Sequence, residues 1–323
     1  MFGDNKVRPL DDEMPVAVAA VAHESAPPVA EMTADGGLPV AQGTVLDAGP
    51  WATLAHTNRY RIIQHPQKLE ALAQMCCAGC FEMQNQYSVF DAETQVHLLE
   101  VKEKSEMCER MCCSPQHSLV LLAFDAREGV PENTLVFSAR KDLRFFNCFS
   151  CVDFCRGRLD VFNAQGEPVG HVQEPTCMAA GCSPKLEMMD RDASEPFMRA
   201  EGPTWCIGGC MELCTDITFR LVNPEDKGDH AQVGQIVKEA PKDFCQMLQE
   251  ASTQADRFLV EFPASETEEH RALILANAFL ADYMFFESGN LVRRKGTQTE
   301  IHCANCYCFG CLFPVVTTLG GNN

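Results

Sequence analysis

Basic residues are scarce in this 323-residue chain: 26 Lys and Arg stand against 45 Asp and Glu, a formal charge of −19. That balance argues against nucleic acid as a partner and against passive adsorption to anionic lipid, both of which select Lys and Arg patches. A membrane contact would need another device: a divalent cation, acylated cysteine or direct apolar insertion. Also lacking are an initial apolar stretch of signal-peptide type and a glycine after Met1, where Phe2 stands instead of the residue that myristoylation requires. A cytosolic chain is the expectation. No P-loop, G-x-S-x-G, H-E-x-x-H or EF-hand loop occurs, and no nucleophile, base and orienter can be named, so a conventional enzyme is not expected.

Cysteine, by contrast, is plentiful. Adjacent pairs among the nineteen, such as Cys76-Cys77 and Cys112-Cys113, make an awkward disulfide framework, and the thiols are expected to stay reduced. Residues 1–50 are rich in Ala, Val, Pro, Gly and acidic residues without a sustained period, which reads as a disordered arm. Its prolines never fall three apart, which removes a PxxP ligand.

From Trp51 the texture changes. Apolar or alternating runs flank polar clusters that start at Asp91, Asp125, Asn163, Asp190 and Asn223, the signature of hairpins. Five such units imply an antiparallel, meander-like sheet of ten or more strands, and a sheet that wide tends to curl or close because free edges invite aggregation.

A closed sheet of this width leaves an interior that wall side chains alone do not fill. The run HRALILANAFLADYMFFE (His270 to Glu287) puts Leu273, Ile274, Phe279, Leu280, Tyr283 and Phe286 on every face of a helix, so it wants burial all round. With Asn277 midway, Asp282 near its end and fewer than the ~20 apolar residues that span a bilayer, it suits a core helix better than a membrane span. Ser265 with Glu268 forms a capping-box pattern, setting the helix at 265–287, and Gly289 with Arg293, Arg294 and Lys295 suits its end. Residues 288–323 read as a separate Cys-rich tail with nothing like the hairpin units.

The segments NCFSCVDFC (Asn147 to Cys155), EPVGHVQEP (Glu167 to Pro175), CSPKLEMMD (Cys182 to Asp190), EGPTWCIGGCMELCTDITFRL (Glu201 to Leu221), VGQIVKE (Val233 to Glu239), DRFLVEFP (Asp256 to Pro263) and ADYMFFE (Ala281 to Glu287) follow one another in an order and spacing that resembles the phospholipid scramblases. RIIQHPQKLEALA (Arg61 to Ala73) and CERMCCSP (Cys108 to Pro115) extend the resemblance upstream, so it covers 61–287 and neither the arm nor the tail. The resemblance implies a mainly β, tubby-like fold, a closed antiparallel barrel of about twelve strands around a C-terminal hydrophobic helix, over 51–287. It also implies ATP-independent, calcium-stimulated movement of phospholipid between leaflets by a palmitoylated protein on the cytoplasmic face of a plasma or internal membrane. Some members of the family act instead as signalling adaptors, so a tethered barrel that binds proteins or phosphoinositides and moves no lipid is the alternative. A homo-oligomer fits either role.

The family's calcium segment falls on Asp216 to Lys227, where Asp216, Asn223, Glu225 and Asp226 offer the oxygens calcium wants. Thr218 and Arg220 stand at positions the family keeps acidic, and an alternating strand with an Asn-Pro turn explains the same residues without a metal. Cys148, Cys151 and Cys155 occupy the family's palmitoylated region, with buried structural cysteine as the competing reading. Cys303, Cys306, Cys308 and Cys311 in the tail suit either a zinc site or acylation among apolar neighbours, with the lipid-modified anchor preferred. Cys77-Ala-Gly-Cys80 has no thioredoxin-like βαβ pattern after it and is discounted as a redox motif.

Overall fold

The computed structural model describes residues 50–65, 84–113, 116–144, 150–204, 206–225, 232–242, 256–287, 292–295 and 298–320. Each of the five polar clusters turns one strand into the next. The hairpins are β2 (Gln86–Asp91) with β3 (His97–Lys104), β4 (Leu119–Asp125) with β5 (Leu135–Lys141), and β6 (Arg158–Asn163) with β7 (Pro168–Gln173). They continue with β8 (Lys185–Asp190) and β9 (Met198–Glu201), then β11 (Ile217–Val222) and β12 (Gln232–Lys238), which follow the two-residue β10 (Cys206–Ile207). Four of the turns begin with a side chain that takes over backbone donors: Asp91 Oδ1 accepts from Glu93 N, Asp125 Oδ1 from Arg127 N, Asn163 Oδ1 from Gln165 N and Asn223 Oδ1 from Glu225 N, all at 2.8–3.0 Å. These local bonds are why Asx residues lead the clusters.

Closure comes from the two strands outside the hairpins. β1 (Arg59–Gln64) pairs antiparallel with β2 on one side and with β13 (Arg257–Glu261) on the other, which completes a closed barrel in the order β1-β13-β12-β11-β9-β8-β7-β6-β5-β4-β3-β2. Wall side chains alternate in and out; β4 is buried at every second residue along its length.

The helix Glu268–Ala281 fills the barrel, and every residue from Arg271 to Ala281 is buried, Leu273, Ile274, Phe279 and Leu280 among them. The wall meets it closely. A Cβ on Gly170 would lie 3.2 Å from Leu273 Cδ1 and collide with the Met189 carbonyl, so only glycine fits there. Thr267, not Ser265, caps the helix by accepting from His270 N at 3.2 Å. Glu266, inside the expected capping box, is drawn instead to His270 Nδ1 at 2.5 Å, while His270 Nε2 meets Asp190 at 3.0 Å and the ring stacks on Phe197. The last turn, Asp282–Phe286, widens into a π-helix that buries Tyr283 and Phe286. None of the described helices is long and apolar enough to cross a bilayer.

The tail differs from its sequence reading. β14 (Val292–Lys295), β15 (Gln298–Cys308) and β16 (Cys311–Leu319) form a second sheet, and β15 also pairs with β10, so the tail strands are hydrogen-bonded to the loop that follows β9. Barrel and tail strands belong to one compact unit, Leu46–Asn323. A hairpin was not legible there because no polar cluster marks the turn; Phe309 and Gly310 make it with positive φ of 47° and 77°.

Candidate functional site

The segment expected to hold calcium is a wall strand with polar ends. Asp216 precedes β11, and its Oδ1 accepts from Ala240 N at 2.7 Å. Asn223 and Glu225 follow β11 in an Asx turn. At about 3.3 Å per residue, the strand separates Asp216 from that pair by roughly 20 Å. Asn223 and Glu225 are therefore brought together and Asp216 is not; Asp226 lies outside the described residues. Between them Ile217, Phe219 and Leu221 point into the core while Arg220 faces outward to Glu201 at 3.6 Å.

Several cysteines that are distant in sequence are neighbours in the fold. Cys151 is joined to Cys177 by a disulfide, with Cα atoms 5.0 Å apart, a correction to the expectation that every thiol is free. The fold, rather than the spacing of the cysteines in sequence, brings these two loops side by side. In the disulfide Cys151 has no thiol to acylate. Cys155 is free and half-buried, and Cys148 lies outside the described residues, as does Cys77-Ala-Gly-Cys80. In the tail, Cys306 stands opposite Cys206 across the β10–β15 pair, Cys308 opposite Cys311 across the hairpin turn, and Cys308 Sγ is 3.8 Å from Cys182 Sγ. Cys303 lies at a bulge in β15 and contacts Thr317 Oγ1 at 3.3 Å. The four tail cysteines are thus shared among different neighbours. Among the described residues no three His, Cys, Asp or Glu side chains are arranged to hold a metal ion.

The residues that sequence reasoning missed are charges inside the barrel. Lys238, from β12, reaches inward to Asp256 Oδ2 at 2.8 Å and to Glu212, and its Nζ lies 4.2 Å from the centre of the Phe286 ring. Burial alone would strip its proton, but Asp256 above all, with Glu212, more than offsets that and holds it charged. Three carboxyls around one cation cannot all ionise out of water. Asp282, at the first position of the π-turn, keeps its proton: burial raises its pKa well above the carboxylate range and the Asp256 charge raises it further, while Glu212 is raised to about 7, chiefly by burial. Tyr87 O–H donates to Asp282 Oδ2 at 2.9 Å, which ties β2 to the helix end.

A second buried carboxyl, Glu103, takes the opposite course. Burial pushes it up, but donors from His117, Ser105, Asn85 N and Tyr283 outweigh burial and leave its pKa below the ordinary value. Lys141 beside it is drawn down to about 8, chiefly by burial, against the pull of Glu287 and Glu103. Lys238 sits in VGQIVKE and Glu103 on an alternating strand. A charge at an inward position of a period-2 pattern is the signal that would have found both.

A closed antiparallel barrel threaded by its own C-terminal helix, with two clusters of buried charge where helix meets wall, defines a class of helix-filled barrels. Within that class the chain belongs to the scramblase family: the Scramblase family model matches residues 47–288, which takes in every barrel strand and the helix and leaves out the tail sheet. Similar proteins include phospholipid scramblase 1 of Mus musculus, 27% identical over 75% of this chain and 66% of its own length, and of Homo sapiens, 26% identical over 75% and 67%. Phospholipid scramblase 2 of Bos taurus is 27% identical over 64% of this chain and 63% of its own length. The chain thus spans about two thirds of these relatives. No solved structure matches it.

Proposed function

We propose that the protein moves phospholipid between bilayer leaflets in both directions without ATP. The observation that carries this reading is the family match over 47–288, whose limits coincide with the barrel and its helix. Calcium stimulation and an acyl anchor at Cys155 or the tail cysteines belong to the same proposal, as does a place at the cytoplasmic face of a membrane. For calcium, Asn223 and Glu225 are the pair that stand together, and Asp216 would act separately.

The experiment is reconstitution into liposomes carrying fluorescent lipid, followed by dithionite. Loss of signal beyond the outer-leaflet fraction, with and without ATP, is the expected result, and its rate should rise with calcium. Loss of the outer-leaflet fraction alone favours the second reading, a tethered adaptor that binds proteins or phosphoinositides. The observation on that side is the helix buried from Arg271 to Ala281 inside a closed wall, which offers lipid no polar path as it stands.

A further inference from the structure

The hairpin β15–β16 lies outside the region matched to the family, and it carries the most exposed apolar strand of the described chain. Side chains two apart on a strand share a face. Leu312 packs against the core, whereas every residue from Phe313 to Leu319 is exposed; Phe313, Val315 and Leu319 share the face opposite Leu312, and Phe313 and Leu319 are 55% and 54% exposed. At the turn, Phe309 is 47% exposed and holds a φ of 47°, a backbone region that costs an aromatic residue about 1 kcal/mol or more and that Gly or Asn would enter more readily. The strained residue leaves about half of its surface in solvent.

Two further segments meet this turn. Phe309 N donates to the Gly181 carbonyl at 2.7 Å, and Gly310 abuts Ser150, where a Cβ would collide with the hydroxyl. The Cys151–Cys177 disulfide joins the two segments to each other. Each presents an apolar side chain to solvent there: Phe154 at 52% and Met178 at 80% exposure. The chain is 22% charged overall, yet residues 301–323 and 176–184 contain no Asp, Glu, Lys or Arg. Sinking those two segments into a bilayer interface would bury no charge, the term that otherwise forbids insertion, and Phe154, flanked by Asp153 and Arg156, sits at the rim where those charges stay in water.

From this geometry we infer that the outward face of the hairpin, continued by Phe154 and Met178, is a membrane-docking surface that inserts into the interface of a phospholipid bilayer. It does so by apolar contact rather than by attraction to anionic headgroups. The assignment rests on the proposal that the protein works at phospholipid bilayers. It explains how a chain of charge −19 approaches a membrane with no spanning helix among its described residues.

The test is flotation of the full, unacylated chain with phosphatidylcholine vesicles, alone and with phosphatidylserine. Wild type should float with both. A triple variant, Phe309→Asn with Phe313→Ser and Leu319→Ser, should stay folded, melting within a few degrees of wild type, and lose about tenfold or more in partitioning, because about half of each side chain lies in solvent and none belongs to the core. A control with Val96→Ser and Val233→Ser, exposed apolar residues elsewhere on the barrel, should float like wild type. Should the triple variant melt early, Phe313→Trp takes its place: its emission should shift to the blue on vesicles, and that of Val96→Trp should not. Wild type that fails to float, equal loss in triple variant and control, or no loss in the triple variant overturns the assignment. So does a wild-type dimer in sedimentation that the triple variant splits while flotation is unchanged, which would assign the strip to a second copy. Flotation that depends on the strip, together with no lipid transport in the dithionite assay, keeps the docking surface and removes the scrambling reading.

Discussion

Glu174 is a buried carboxyl whose surroundings leave it uneasy as an anion. Tyr307 O–H donates to its Oε1 at 2.8 Å and Gly157 N to its Oε2 at 3.4 Å, which fastens the tail sheet to β7. Burial nonetheless raises its pKa from 4.5 to about 7, with those two donors and Arg156 opposing. Between these values the folded state keeps a proton that the unfolded state has shed, so the sign is settled: the stability contribution is full below 4.5 and is lost as pH rises through about 7. Thermal melts taken from pH 4.5 to 8 should fall across that window, and Glu174→Gln should flatten the fall and melt above wild type at pH 8. Glu212, raised to about 7 largely by burial, contributes a remaining slope of the same sign. Equal slopes in variant and wild type would mean Glu174 is not the group that titrates.

The central helix shows how an element can be legible in composition and still keep its details hidden. Its burial follows from apolar residues on every face, which only an enclosing wall satisfies. The choice of Thr267 over Ser265 as cap goes with a His270 ring held by Asp190 and Phe197, and the π-turn residues Asp282 and Tyr283 meet Tyr87 and Glu103, all partners far off in sequence that no local pattern reveals. Asn277 is a residue the wall does not serve: it is fully buried, and neither atom of its amide has a partner among the described residues. An unpaired buried amide costs about 1–3 kcal/mol. Asn277→Leu keeps the number and branching of side-chain atoms and should raise stability by about that much in chemical denaturation. A loss of stability would mean that the amide is satisfied in solution.

At the scale of the whole molecule, everything depends on closure by strands nearly 200 residues apart in sequence. β1 covers the free edges of both β2 and β13, and the segment before it supplies the acceptors for the buried guanidinium of Arg271: the carbonyls of Leu54 and Thr57 and Asn58 Oδ1. Deleting residues 51–64 should open two edges and strand that charge, a loss of about 3–5 kcal/mol from the charge alone. Size-exclusion chromatography should then show aggregate in place of the wild-type peak. A product that elutes like wild type and melts cooperatively would show that the wall closes without β1.

Period-2 alternation, Asx-led turns and one helix apolar on all faces determined the hairpins, their antiparallel order and the need for a filled, closed wall, since each is a local pattern with one economical solution. The limits of the calcium segment, the cysteine pairing, the tail hairpin and the inward charges were decided only in three dimensions. Asp216 and Glu225 are close in sequence yet separated by the length of a strand, whereas Cys151 and Cys177, or Phe309 and Gly181, are distant in sequence yet adjacent in the fold. Local pattern reports which face a residue occupies. Which residue it meets there depends on how the whole sheet closes.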